Sequence, residues 1–127
     1  MFLLDSHGKM TKLIHINVYN ADVLVHFGTE ESLIKYMKDN GFTSYVDEVK
    51  DILSQDKAVI LAETFMLETG QTIMWFSEKK PNIDLVAHEV FHAVYNLLER
   101  IGMRLSSDSE EAYAYLTQFL IKEITNN

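Results

Sequence analysis

Residues 86–94 read Val-Ala-His-Glu-Val-Phe-His-Ala-Val, two histidines four apart inside an unbroken run of helix-forming and apolar residues. At 100° per residue, Val86, Ala87, Val90, Phe91, Ala93, Val94, Leu97, Leu98 and Ile101 share one arc, while His88, Glu89, His92, Asn96 and Glu99 share the other. The chain must therefore bury one side of this helix and leave the side with the histidines open. Residues four apart lie one turn apart on the same face, so the two imidazoles can meet at a point. That point suits a zinc ion, which neutral imidazole nitrogens bind at ~2.0–2.1 Å. Glu89, turned round the helix, can reach a metal-bound water and serve as its general base. Chance alone produces the His-Glu-x-x-His pattern in roughly one or two per cent of chains this long with this content of His and Glu.

The rest of the composition narrows the classes. With 127 residues the chain is expected to be one domain, residues 1–127, with a hydrophobic core that needs no metal to fold, so zinc would serve chemistry. No cysteine is present, which removes disulfides, Cys-type zinc sites and a thiol nucleophile. A net charge of −8 argues against nucleic acid as a partner, since no basic patch is available and the two lysines Lys79-Lys80 do not make one. No run approaches the ~20 apolar residues of a membrane span. Met1-Phe2-Leu3-Leu4 meets Asp5 too soon for a secretory signal. The expectation is a soluble, cytoplasmic protein with no nucleic-acid or membrane partner.

Taken in order, the first nine residues read as a loose tail or an added strand. Lys12 to Tyr19 alternates apolar and polar residues as a strand does, with Leu13 or Ile14 choosing the buried face. Asn20-Ala21-Asp22 supplies a turn, and Val23 to Phe27 pairs back as a hairpin partner. His15 and His26 lack a ligand-spaced neighbour and read as ordinary strand residues. Thr29 suits an N-cap with Glu30 and Glu31 behind it, and Asn40-Gly41 a stop. A second helix spans about Ser44 to Ser54, and both helices read as backing for a sheet. Lys57 to Leu67 and Thr72 to Phe76 are strands joined through Glu68-Thr69-Gly70-Gln71. Trp75 is expected beside the cleft, because its strand leads into the histidine helix. That helix starts near Asn82 or Asp84 after Pro81 and ends at Gly102, and a last helix from about Ser107–Ser109 runs through Ile124. The sum is an α+β chain with a small mixed or antiparallel sheet of about four strands.

A catalytic zinc usually takes three protein ligands and keeps one position open. Without cysteine or a downstream histidine, the third must be a carboxylate. Glu99 shares the face of His92 but sits roughly 10 Å along the axis, too far for one metal. Glu110 and Glu111, at the start of the last helix, are the candidates, and the helical wheel leaves both open.

His88-Glu-Val-Phe-His92 followed by Glu111-Ala-Tyr-Ala-Tyr115 resembles the gluzincin metallopeptidases. In scale it is similar to their smallest members, the minigluzincins and the ImmA/IrrE-type metallopeptidases. The resemblance covers about Thr72 to the C-terminus. It implies a zincin-like fold with an active-site helix and a C-terminal glutamate helix, and zinc on His88, His92 and Glu111. Glu111 is preferred over Glu110 because it precedes Tyr115 by four. Thermolysin-like members have aspartate where this chain has Tyr115. The resemblance also implies peptide hydrolysis with Glu89 as base, on an extended peptide lying along an edge strand, assigned to Thr72–Phe76. Tyr113 and Tyr115 are the candidate oxyanion stabilisers. Two other classes fit the same residues: a non-catalytic zincin-like domain that binds or regulates a partner, and an interaction protein whose motif is accidental.

Overall fold

A computed structural model describes residues 2–4, 10–54 and 61–126 of the chain. Among the described residues five strands form one mixed sheet: β1 (Phe2–Leu4), β2 (Met10–Ile16), β3 (Ala21–Phe27), β4 (Ala62–Met66) and β5 (Thr72–Phe76), in the spatial order β1-β2-β3-β5-β4. Four α-helices accompany them there: α1 (Glu30–Asp39), α2 (Val46–Ser54), α3 (Ile83–Arg100) and α4 (Glu110–Thr125). The fold is α+β, and β1 is the added strand of the N-terminal segment. Residues 5–9, part of that segment, and 57–60, the start of the strand expected from Lys57, lie outside the described residues.

Strand β2 pairs antiparallel with β3, with Ile14 opposite Val23 and Thr11 opposite His26. Ile14 chooses the buried face at 2% exposure, and Leu13 is left 51% exposed. The strand ends three residues earlier than its alternation suggests. Asn17–Tyr19 form one 3-10 turn, and Asn20 takes the left-handed conformation at φ 48°, which asparagine tolerates better than most residues.

Thr72–Phe76 is not the edge of the sheet. It pairs in parallel with β3 on one side and antiparallel with β4 on the other, so β4 is the edge. The physical reason lies in the two faces of β5. Ile73 and Trp75 are buried on one face, Met74 and Phe76 on the other, as suits a strand covered all round. The β4 sequence Ala-Glu-Thr-Phe-Met carries polar residues that an edge accommodates.

Each face has its own core. Leu24, Ile73, Trp75 and Phe65 pack with Leu33 and Met37 of α1 and Val49 and Leu53 of α2. On the opposite face, Ile14, Val23, Val25, Met74 and Phe76 pack with Val90, Ala93, Val94 and Leu98 of α3 and Leu116 and Leu120 of α4. Thr29 caps α1 by accepting a hydrogen bond from the Ser32 amide at 3.1 Å. Helix α3 closes on Gly102 at φ 86°, where the Gly102 amide donates to Glu99 O and the Met103 amide to Leu98 O, both at 2.9 Å. This paired closure satisfies the last carbonyls and turns the chain back. Among the described residues no helix is long and apolar enough to cross a membrane.

Candidate functional site

Helix α3 lays its apolar side on the sheet and holds His88 and His92 on its exposed side. Their Nε2 atoms are 3.2 Å apart, and their rings meet edge to face with centroids separated by 4.9 Å. Two nitrogens bound to one ion at ~2.0–2.1 Å and separated by that distance subtend roughly 100–105° at the ion, close to a tetrahedral angle. The separation of the two nitrogens is therefore compatible with a shared cation. In the absence of one, a ring N–H donating to the other ring's nitrogen spans the same gap.

Glu89 departs from its expected place on the open side. It is 6% exposed, tucked between α3 and the edge strand. Thr64 of β4 donates its hydroxyl to Glu89 Oε1 at 2.7 Å and stands 3.3 Å from the Glu89 carbonyl oxygen. The other carboxylate oxygen, Oε2, is 3.9 Å from His88 Nε2. One oxygen is thus tied to the sheet and its partner is turned towards the histidines. The wheel missed this because it ranks Glu89 by polarity. On a helix, 100° from Val90 is still within reach of a neighbouring strand.

Strand β4 also presents backbone outward. Leu61 O accepts from the Ser77 amide, and the Leu67 amide donates to Gln71 O, each at 2.9 Å, so the odd-numbered residues bond to β5. The alternation of an antiparallel ladder then turns the N–H and C=O of Ala62, Thr64 and Met66 away from the sheet. Among the described residues no strand pairs with that side.

The third ligand is not gathered. Among the described residues no three His, Cys, Asp or Glu side chains form a group that could hold a metal ion. Glu110 and Glu111 are both exposed in the first turn of α4. Tyr113 is close enough to Tyr95 and Glu99 to feel both, while Ile124 and Thr125 share a cavity of about 300 Å³ with Val86 and Pro81. The two helices therefore run antiparallel, and the start of α4 lies past His92, beside the end of α3. The buried stripe of α4 is Tyr113, Leu116, Leu120 and Ile124. Glu110 flanks that stripe, and Glu111 falls roughly opposite it at 100° per residue.

Other residues singled out by sequence have different work. The Tyr113 hydroxyl donates to Met103 O at 2.7 Å, which commits it to the turn between α3 and α4. Burial, with Glu99 and Tyr95 adding to it, pushes its phenol above the ordinary value of 10.0. Tyr115 is 66% exposed and lines, with Phe119 and Val18, a cavity of about 480 Å³ between α4 and the 3-10 turn. Trp75 points away from α3: it is buried against the α1 and α2 layer, and its indole N–H donates to Gly28 O at 2.8 Å. His26 is fully buried between Thr11 Oγ1 at 2.6 Å and Ser32 Oγ at 2.7 Å. Because Ser32 gives its own proton to Thr29 O, the His26 Nε2–H donates to Ser32 and Nδ1 accepts from Thr11. His15 pairs across the strands with Asp22 at 2.6 Å.

Thr64 is the site residue that sequence reasoning passed over. Its signal was a lone hydroxyl between Ala62 and Met66 on the helix-facing side of the strand. Comparison of the chain with protein-family models, curated proteins and solved structures found no match.

Proposed function

We propose that this chain is a zinc-dependent metallopeptidase of the gluzincin type, with His88 and His92 as metal ligands and Glu89 as general base. One observation carries the reading. The two Nε2 atoms stand at the separation of a shared tetrahedral ion while the free oxygen of a buried glutamate faces them. Lewis acidity at that point, which lowers the pKa of water towards ~7 and polarises a carbonyl, is what zinc supplies when bound.

The chain's own residues do the rest. The outward amides and carbonyls of Ala62, Thr64 and Met66 take an extended peptide as an added strand and fix its scissile bond over α3. Oε2 of Glu89 accepts a proton as water attacks the carbonyl, and returns it to the departing amine. Thr64 keeps Oε1 occupied, so the accepting oxygen is the one that faces the histidines. Glu111 is the third ligand of this proposal, and it requires the first turn of α4 to shift towards the pair. The carboxylates of Glu110 and Glu111 are both exposed in that turn.

The experiment is metal analysis of purified protein, followed by cleavage of a fluorescence-quenched peptide library by wild type and Glu89→Gln. Stoichiometric zinc with cleavage that Glu89→Gln abolishes sustains the proposal, and a chain that takes up no zinc ends it. The ungathered third ligand favours a second reading, a zincin-like domain that binds a protein partner without cutting it. Zinc uptake without cleavage of any library member would support that one.

A further inference from the structure

We propose that Thr64 is the positioning residue that aims Glu89 at the histidine pair, an inference that rests on the hydrolase reading above. A glutamate side chain has three rotatable torsions, and a buried carboxylate goes to whatever donor it can find. Here the donor is on the sheet and not on the helix. The Thr64 hydroxyl reaches Glu89 Oε1 at 2.7 Å and lies 3.3 Å from the carbonyl oxygen of the same residue. The single hydroxyl proton goes to the nearer oxygen, Oε1, so the contact fixes the carboxylate end of Glu89 against the strand. With Oε1 held, the planar carboxylate can direct only Oε2 outwards, and it does so 3.9 Å from His88 Nε2.

The strand that supplies this hydroxyl is the edge of the sheet, and the backbone N–H and C=O of Thr64 itself point outward. A peptide adding to that edge would hydrogen-bond the main chain of the residue whose side chain holds the base. Thr64 thereby links occupancy of the edge to the aim of Glu89. The position needs a hydroxyl: valine keeps the β-branched shape and removes the donor, and serine keeps the donor and removes a methyl.

The test compares Thr64→Val, Thr64→Ser and Thr64→Ala, all loaded with zinc, with the wild type. Three quantities are read: zinc content, kcat and KM on a peptide picked from the quenched library, and the Glu89 13Cδ resonance, identified by its loss in Glu89→Gln. For Thr64→Val we expect unchanged zinc content, an unchanged KM, a kcat lower by about ten- to a hundredfold, and a shifted 13Cδ resonance. Thr64→Ser should restore both kcat and resonance to near wild type. A Thr64→Val protein with wild-type kcat and an unmoved resonance overturns the assignment, as does a Thr64→Ser protein as impaired as Thr64→Val. If Thr64→Val does not fold, Thr64→Ala is read by the same criteria. If the wild type cleaves nothing, the hydrolase reading fails by itself, and the resonance alone decides whether Thr64 sets the carboxylate: moved in Thr64→Val and restored in Thr64→Ser, or not.

Discussion

His88 and His92 hold their Nε2 atoms 3.2 Å apart across a single turn of α3, on a side of the helix that no core residue covers. On the proposed reading both are zinc ligands. His88→Ala and His92→Ala should each weaken zinc binding by more than about a hundredfold, since either leaves one nitrogen where two are needed. Calorimetric titration of zinc into the purified protein measures this, and full affinity in either variant contradicts the pair as ligands.

Glu111→Ala should weaken zinc binding and Glu110→Ala should leave it unchanged. The reverse result moves the ligand by one residue and keeps the site. Because the first turn of α4 must shift for either carboxylate to join, zinc should also slow amide hydrogen exchange over residues 107–112. Mass spectrometry with and without the metal reads that change.

Glu89→Gln should retain zinc and lose about 10²–10⁴-fold in turnover, the range that proton transfer by a positioned side chain contributes. The amide oxygen of the glutamine can still accept from Thr64, so the fold is expected to survive. Circular dichroism alongside the rate assay separates lost chemistry from lost structure.

Tyr113 predicts an alkaline limit. Its phenol is pushed above the ordinary value of 10.0 by burial, then by Glu99 and Tyr95. The unfolded chain therefore gives up this proton first, and the contribution is complete below about pH 10 and is lost as pH climbs through the raised value. Tyr113→Phe should flatten the stability curve above pH 10. At neutral pH it should cost about 1 kcal/mol through the missing bond to Met103 O. Urea melts across the alkaline range give both numbers.

Gly102→Ala should destabilise the protein by roughly 1 kcal/mol, because φ 86° admits a side chain poorly and the closure of α3 depends on it. Zinc affinity should change little, since the glycine lies well beyond His92. A variant as stable as wild type in urea would contradict this.

Much of the scaffold could be read from residue patterns. Thr29, Gly41 and Gly102 mark helix ends through local chemistry, and that chemistry does not depend on what packs nearby. The histidine pair was legible for the same reason, because four-residue spacing on a helix fixes two side chains to each other. What failed was relational. Thr72–Phe76 looked like an edge although Ile73, Trp75, Met74 and Phe76 are apolar on both faces, the mark of a central strand. Trp75 was assigned to the wrong layer with it. Glu89 was read as facing outward because the wheel knows nothing of Thr64, a residue 25 positions away that the fold brings to 2.7 Å. The third ligand depends on how α4 lies along α3, which no local pattern encodes.

The parallel pairing of β3 with β5 has a kinetic implication. These neighbours are separated in the chain by α1, α2 and β4, so the middle of the sheet cannot zip from a turn and has to wait for a long loop to close. The α1–α2 unit can condense early on nearby contacts. The histidine helix, by contrast, finds its full landing surface only once that distant junction has formed. On the proposed reading, metal capture is then a late event during biogenesis, and a nascent polypeptide released before its final third has emerged would lack both histidines and the platform for them.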